Sequence, residues 1–169
     1  MASNDGNERS AFNSFDNSFE WGLPGGSGND LNSEQRSVGG GAISISAPLV
    51  NIDGSLETNG LSPENSAAGG GAGGSLLCNV QTLTGSGTIS SFGGNGGQHS
   101  FSTVAYGGGG GGGRIKMVVT VSHAFTGSYS VRGGYGFQSG SSGTLYQLIP
   151  SGEYLIVDNE NIETVLYTR

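Results

Sequence analysis

Seven consecutive glycines, Gly107–Gly113, run directly into RIKMVVTV at Arg114–Val121. A tract with no side chains is costly to order, so a folded chain keeps one only where backbones must turn sharply or approach closely. The same event recurs in weaker form: GGGAISI at Gly39–Ile45, GGSLL at Gly73–Leu77 and SSGTL at Ser141–Leu145. A glycine cluster that repeatedly releases an apolar strand is a repeat signature.

From Gly39 onward the chain lays out as four rows, starting at Gly39, Gly73, Gly112 and Ser142. Their first strands align Ile43, Leu76, Ile115 and Leu145, which gives steps of 33, 39 and 30 residues. Ile52–Leu56 then aligns with Leu83–Ile89, and that segment with Phe125–Val131. Apolar residues alternate at Ile43/Ile45, Val50/Ile52 and Val119/Val121, the period of a strand buried on one face. The glycine-rich ends of the rows, such as Asn59–Gly60, Gly93–Gly97 and Gly133–Gly134, read as turns that use positive φ. The stretches Leu61–Gly71 and Asn95–Gly110 read as loops leaving one corner.

A hairpin sandwich shows turns every 8–12 residues without a ~30-residue similarity, so the pattern predicts an all-β parallel β-helix of about four coils. Four strands at about 4.8 Å make a slab on the order of 20 Å thick, with both ends presenting backbone groups that need a cap or another chain. The domain reading is 1–38 as a capping or assembly segment and 39–169 as the β-helix. Phe12, Phe15 and Phe19 fall on one face of a short helix behind Ser10, and with Trp21 they are the expected cap or assembly contacts. Asn13, Ser14, Asp16, Asn17 and Ser18 between them are poor helix formers. The acidic tail Asp158–Glu160 with Glu163 is expected to discourage pairing at the far end.

The chain has 35 glycines but only 4 prolines and no third-residue glycine period, which excludes collagen. A formal charge of -7 from 6 Lys+Arg and 13 Asp+Glu argues against nucleic acid and anionic membranes as partners. No apolar run reaches the ~18 residues of a membrane span, and Met1–Ser10 carries no signal core. Cys78, the one cysteine, reads as a small buried hydrophobe.

Chemistry finds little purchase. Gly107–Arg114 lacks the Lys-Ser/Thr of a phosphate loop, and Gly85-x-Gly87 lacks a dinucleotide site's third glycine. His99 and His123 lack ligand spacing, so no cofactor or metal is expected. Calcium oxygens stand at Asn29–Asp30, Asn51/Asp53 and Asp158–Asn159 without an EF-hand or nonapeptide frame. Thr82, Thr84, Thr88 and Ser90 read as solvent-facing strand residues rather than an ice-ordering face. For a glycan-cleaving β-helix the candidates are Asp53, Glu57, Arg114, Lys116 and Arg132, but the carboxylates have no acidic counterparts in rows two and three.

The pattern GGG-[AR]-I-x-[IM], then x-G-x-[LIV], then an N-G or G-G turn resembles the glycine-rich repeats of very large surface and secreted proteins. It is carried by Gly39–Ile45, Leu83–Gly97, Gly107–Met117, Gly143–Tyr146 and a closing Leu155–Asn159. The nearest familiar architecture is the filamentous-haemagglutinin-type adhesin β-helix. The resemblance implies a non-catalytic extracellular or cell-surface structural protein or adhesin module, self-associating or stacking on neighbouring β-helix modules, as a filament subunit or a glycan binder. The alternative is a carbohydrate-active or carbohydrate-binding β-helix using the two inserts.

Overall fold

A computed structural model of the chain describes residues 37–64, 67–98 and 107–161, and the described part is all-β without helix. Phe12, Phe15, Phe19, Trp21, Asn29–Asp30, His99 and Glu163 lie outside the described residues. Eight strands follow one another: β1 (Ala42–Asn51), β2 (Ser55–Glu57), β3 (Ser75–Gly85), β4 (Thr88–Ser90), β5 (Arg114–Phe125), β6 (Ser128–Ser130), β7 (Thr144–Ile149) and β8 (Gly152–Ile156). The long strands form one five-stranded sheet in the order β1-β3-β5-β7-β8, and the short ones a second sheet in the order β2-β4-β6. Every pairing is parallel except β7 with β8.

The expected steps are the observed register: Ile43 lies opposite Leu76, Leu76 opposite Ile115, and Ile115 opposite Leu145. Alternation then builds inward columns, because parallel in-register strands stack like positions on like. Beside that first column runs Ile45, Cys78, Met117 and Gln147, and next to it Ala47, Val80 and Val119. Cys78 and Met117 are sealed from solvent, and both sheets feed one core that includes Leu83, Ile89, Phe125 and Val131. Fully burying each such aliphatic contributes about 1.5–3 kcal/mol.

Three expectations are corrected. Val121 does not share the buried face of Val119: it is 65% exposed against 2%. The register passes from Val80–Val119 to Thr82–Ser122, so Gln81 faces two residues of β5, and the extra residue turns Val121 outward. The short strands pair Leu56, Ile89 and Tyr129, two residues from the expected match of Ile89 with Val131. The fourth row gives no short strand. Instead Pro150 and Ser151 turn the chain back, and β8 pairs antiparallel on β7.

The glycines also work differently from the expectation. Among the described residues, only Gly85 (φ 109°) and Gly152 (φ 150°) are positive-φ glycines. Apart from Gly54, Gly87 and Gly127, which sit in the turns between a long strand and the following short one, most of the others lie in segments that lead out from each short strand and return to the next long one. Gly71, Gly94, Gly110, Gly134 and Gly140 donate in turn to Leu61, Gly71, Gly94, Gly110 and Gly134, at 2.8–2.9 Å. Leu61 itself donates to Val38 at 2.9 Å, so one ladder of backbone hydrogen bonds runs through all the rows. A second ladder lies three residues away, where Gly97 donates to Ala68, Gly107 to Gly97 and Phe137 to Gly107. A period of three, with no bonds inside a segment, is that of a polyproline II chain, whose backbone is wholly available to neighbours. The described ends of the inserts at 61–71 and 95–110 are thus laddered backbone, and residues 65–66 and 99–106 lie outside the description.

Close approach explains the composition. A Cβ built on Gly110 would stand 2.1 Å from the Gly71 carbonyl oxygen, and one on Gly112 would stand 1.9 Å from that of Val131.

Candidate functional site

The two ends of the strand stack are the places where the repeat stops, and each is built from identifiable residues. At the first end, β1 and β2 pair on one side only among the described residues, with β3 and β4 respectively. Their flanking turn is fixed by side chains. Asn51 Nδ2 donates to Asp53 Oδ2 at 2.7 Å, Thr84 Oγ1 donates to Asn51 Oδ1 at 2.8 Å, and the Ser86 amide donates to Asp53 Oδ1 at 3.1 Å. Ser37 Oγ donates to the Gly69 carbonyl oxygen. This end is an edge of parallel strands, a template for another strand unless something covers it.

The far end is finished differently. In successive rows Gly60 donates to Phe92 and Gly93 to Arg132, so the amide of Gly133 would need a carbonyl from a further row. Asn159 supplies it: the Gly133 amide donates to Asn159 Oδ1 at 2.8 Å, and Asn159 Nδ2 donates to the Gly140 carbonyl at 3.2 Å. One side-chain amide thereby stands in for the missing peptide on both the outgoing and returning glycine segments. Asn159→Ala is expected to lower stability by about 1–3 kcal/mol, the cost of stranding partly buried backbone groups. Denaturant midpoints at unchanged slope measure it, and a change below about 0.3 kcal/mol would refute the capping role.

Next to this cap, the Arg132 guanidinium lies 4.6 Å from the Phe92 ring centre and 5.4 Å from that of Tyr135. Its Nη1 donates to the Gly133 carbonyl at 3.0 Å, and its Nε stands 3.7 Å from Glu160 Oε2. Of the acidic tail, Asp158 and Glu160 are therefore engaged in closing the end. Ser142 Oγ donates to the Asp158 carbonyl, and the Glu160 amide to Asp158 Oδ1. At the foot of the core, Tyr129 hydroxyl and His123 Nε2 are 3.2 Å apart, and Gln147 is a further hydrogen-bond partner of Tyr129. Burial pushes the Tyr129 phenol up to about 12, so it stays a neutral partner across the neutral range. Burial likewise raises the Cys78 thiol, making it a packing residue rather than a nucleophile.

The residues weighed for glycan chemistry are not brought together. Asn51 and Thr84 lie opposite the Ala124 end of β5, which puts Asp53 beside that end, whereas Arg114 opens the strand. Ten residues of strand separate the two positions, or about 33 Å. Lys116 lies 5.7 Å from the Tyr146 ring centre, whose hydroxyl donates to Glu153 at 2.9 Å. Among the described residues no cluster of three or more His, Cys, Asp or Glu is placed to hold a metal ion. No described helix is long and apolar enough to cross a membrane.

Sequence reading missed Asn159 as a cap and Arg132 as a ring-stacked clamp. Both become visible only when Gly133 is known to need an acceptor from a further row. No family model matches the chain, and no curated protein or solved structure shows significant similarity to it.

Proposed function

We propose that the chain is a parallel β-helix of about four glycine-rich coils, serving as a non-catalytic structural or adhesin module at the cell surface or outside the cell. The coil reading is supported by the order in which the first three rows deliver their parts: long strand, short strand, and glycine segments out and back. It is supported too by the register of 33 residues that holds along β1 and β3, and by that of 39 residues between β3 and β5, which becomes 40 beyond the bulge at Gln81. The observation that carries the functional reading is the one-sided pairing of β1 and β2 at the same end. An assembly module needs such an edge, and main-chain hydrogen bonds along it give affinity without a pocket. Its lining carries Ser44, Ser46, Asn51 and Ser55 with only two carboxylates, Asp53 and Glu57, which suits a chain with few charges to arrange.

Residues 1–38, with Phe12, Phe15, Phe19 and Trp21, are the cap or joining arm in this reading, and partners are further copies or neighbouring β-helix modules, with glycans as a class of ligand. Light scattering coupled to size exclusion, with negative-stain microscopy of the same sample, tests it. The full chain is expected to form concentration-dependent oligomers, and removal of Met1–Trp21 to change them: more association if the segment caps the edge, none if it joins subunits. A monomer unaffected by the deletion would refute the assembly reading.

A further inference from the structure

The segments that lead out and those that return form two hydrogen-bonded layers, and their outer sides are finished differently. In the outgoing layer, outward amides are met by side chains of the row before. The Phe92 amide donates to Asn59 Oδ1, that of Asn95 to Ser62 Oγ and that of Tyr135 to Asn95 Oδ1, at 2.8–2.9 Å. The third returning segment, Gly107–Gly113, has no such cover. Its Gly110 amide donates to Gly94 and its Gly110 carbonyl accepts from Gly134, both in the outgoing layer. The N–H and C=O of one planar trans peptide point opposite ways, so the Gly109 carbonyl and the Gly111 amide face outward. The bonds of Gly107 with Phe137 and of Gly113 with Ser91 turn the Gly108 amide and the Gly112 carbonyl outward by the same rule. In the fourth row the Gly140 carbonyl accepts from Asn159, which leaves the Ser141 amide outward. None of these outward groups has a partner among the described residues.

They frame a groove between the third and fourth returning segments. The Gly109 and Gly112 carbonyls lie opposite bonds that run back to Gly94 and Ser91 in the second row, so they lean toward the fourth. The Ser141 amide lies opposite a bond to Asn159, beyond the fourth row, so it leans toward the third. Gly108, Gln138 and Ser141 are exposed along the groove. The fold itself does not ask for glycine here. A Cβ on Gly108 or Gly111 would meet nothing nearer than 3.7 or 3.6 Å, at Gln138 and Ser141 on the opposite wall. Two glycines are thus kept where the chain leaves room for side chains, and those side chains would stand in the groove.

A polyproline II chain laid there would continue the packing the layers already use, accepting from Ser141 and donating to Gly109 and Gly112. With three residues per turn, it has to lack a side chain at only one position in three. Residues 22–28, GLPGGSG, carry that pattern: Gly22, Gly25 and Gly28 recur every third residue, and Pro24 is fixed near the φ of this conformation. Ser37 joins the layer at its first row, against Gly69, so the groove lies rows away from a copy's own segment and open to a neighbour's.

We infer that residues 22–28 of one copy lie in the groove between Gly107–Gly113 and Gln138–Gly143 of another, as an added polyproline II segment. The contact rests on the assembly reading and gives its joining arm a site. Sedimentation equilibrium of the full chain reads it. Gly108→Ala and Gly111→Ala together should raise the dissociation constant at least 30-fold while the urea midpoint stays where it is. Gly25→Ala in the arm should weaken association as much, and Gly26→Ala, off the period, should leave it within threefold. Mixing the groove variant with the Gly25→Ala variant should restore association, since each supplies the part the other lacks. A monomer at every concentration would overturn this inference and the assembly reading together. Oligomers indifferent to the groove and arm substitutions, growing through β1 and β2, would overturn only this one. A lower urea midpoint without weaker association would also overturn it, because the segment would then fill the groove of its own chain. Equal weakening by Gly25→Ala and Gly26→Ala would do the same, since the period of three would then play no part.

Discussion

Gly110→Ala is expected to lower stability by more than about 3 kcal/mol, while Gly111→Ala, one residue along the same tract, leaves it within about 0.5 kcal/mol or raises it. The difference lies in the neighbouring rows. A Cβ on Gly110 meets the Gly71 carbonyl oxygen at 2.1 Å and its carbon at 2.6 Å. Those atoms are backbone held in the ladder, since the Gly71 carbonyl accepts from Gly94 and Gly110 itself donates to Gly94. Relief would mean breaking hydrogen bonds on both sides. On Gly111 the nearest atom is Ser141 Oγ at 3.6 Å, an ordinary contact, and Ala72 and Ser141 already occupy the matching position in the rows beside it. The alanine there also removes unfolded-state freedom that the glycine has to lose. Urea denaturation of the two variants decides the matter. Equal losses would mean that the tract is kept for its flexibility rather than for close approach.

Ile89→Ala is the second large effect, with an expected loss of about 2–5 kcal/mol. Three-residue strands cannot hold a sheet by their own hydrogen bonds, so the small sheet stays in place by what it buries. Ile89 is fully buried, whereas its partners across the sheet, Leu56 and Tyr129, are only half-buried. Truncation leaves a cavity at the center of the inter-sheet contact, where β3 and β5 above and below cannot collapse into it without breaking register. The fall in denaturation midpoint should be accompanied by earlier exchange of the β2, β4 and β6 amides than of β3 and β5. A loss below about 1 kcal/mol would mean that the short strands are held by the flanking glycine ladders alone.

Much of the large sheet was legible in the sequence. Ile43, Leu76, Ile115 and Leu145 align because in-register parallel strands demand the same residue class at the same level, a constraint written directly into spacing. The buried Cys78 was legible for the same reason, since it follows Leu76 by two. What failed were features set by a neighbour rather than by the local run. Val119 and Val121 look alike as a pair, and only the extra residue facing Gln81 separates them. The fourth row carries strand-prone residues throughout, and nothing in TLYQLI or GEYLI says whether the second run joins the small sheet or folds back on the first.

The glycines divide the two sources of information most clearly. Sequence determined that a side-chain-free backbone recurs before each long strand, and hence that the rows are repeats of one another. It did not determine why, because a missing Cβ reads the same whether the backbone needs positive φ or needs room. Only the packed structure decided for room, by setting carbonyl oxygens of adjacent segments where the Cβ atoms of Gly107, Gly110 and Gly112 would stand. The same packing decided the ends. A hydrogen-bond ladder repeats by translation and carries no instruction to stop, so its termination rests on Asn159 and on the reversal into β8, both of which act through contacts distant in sequence.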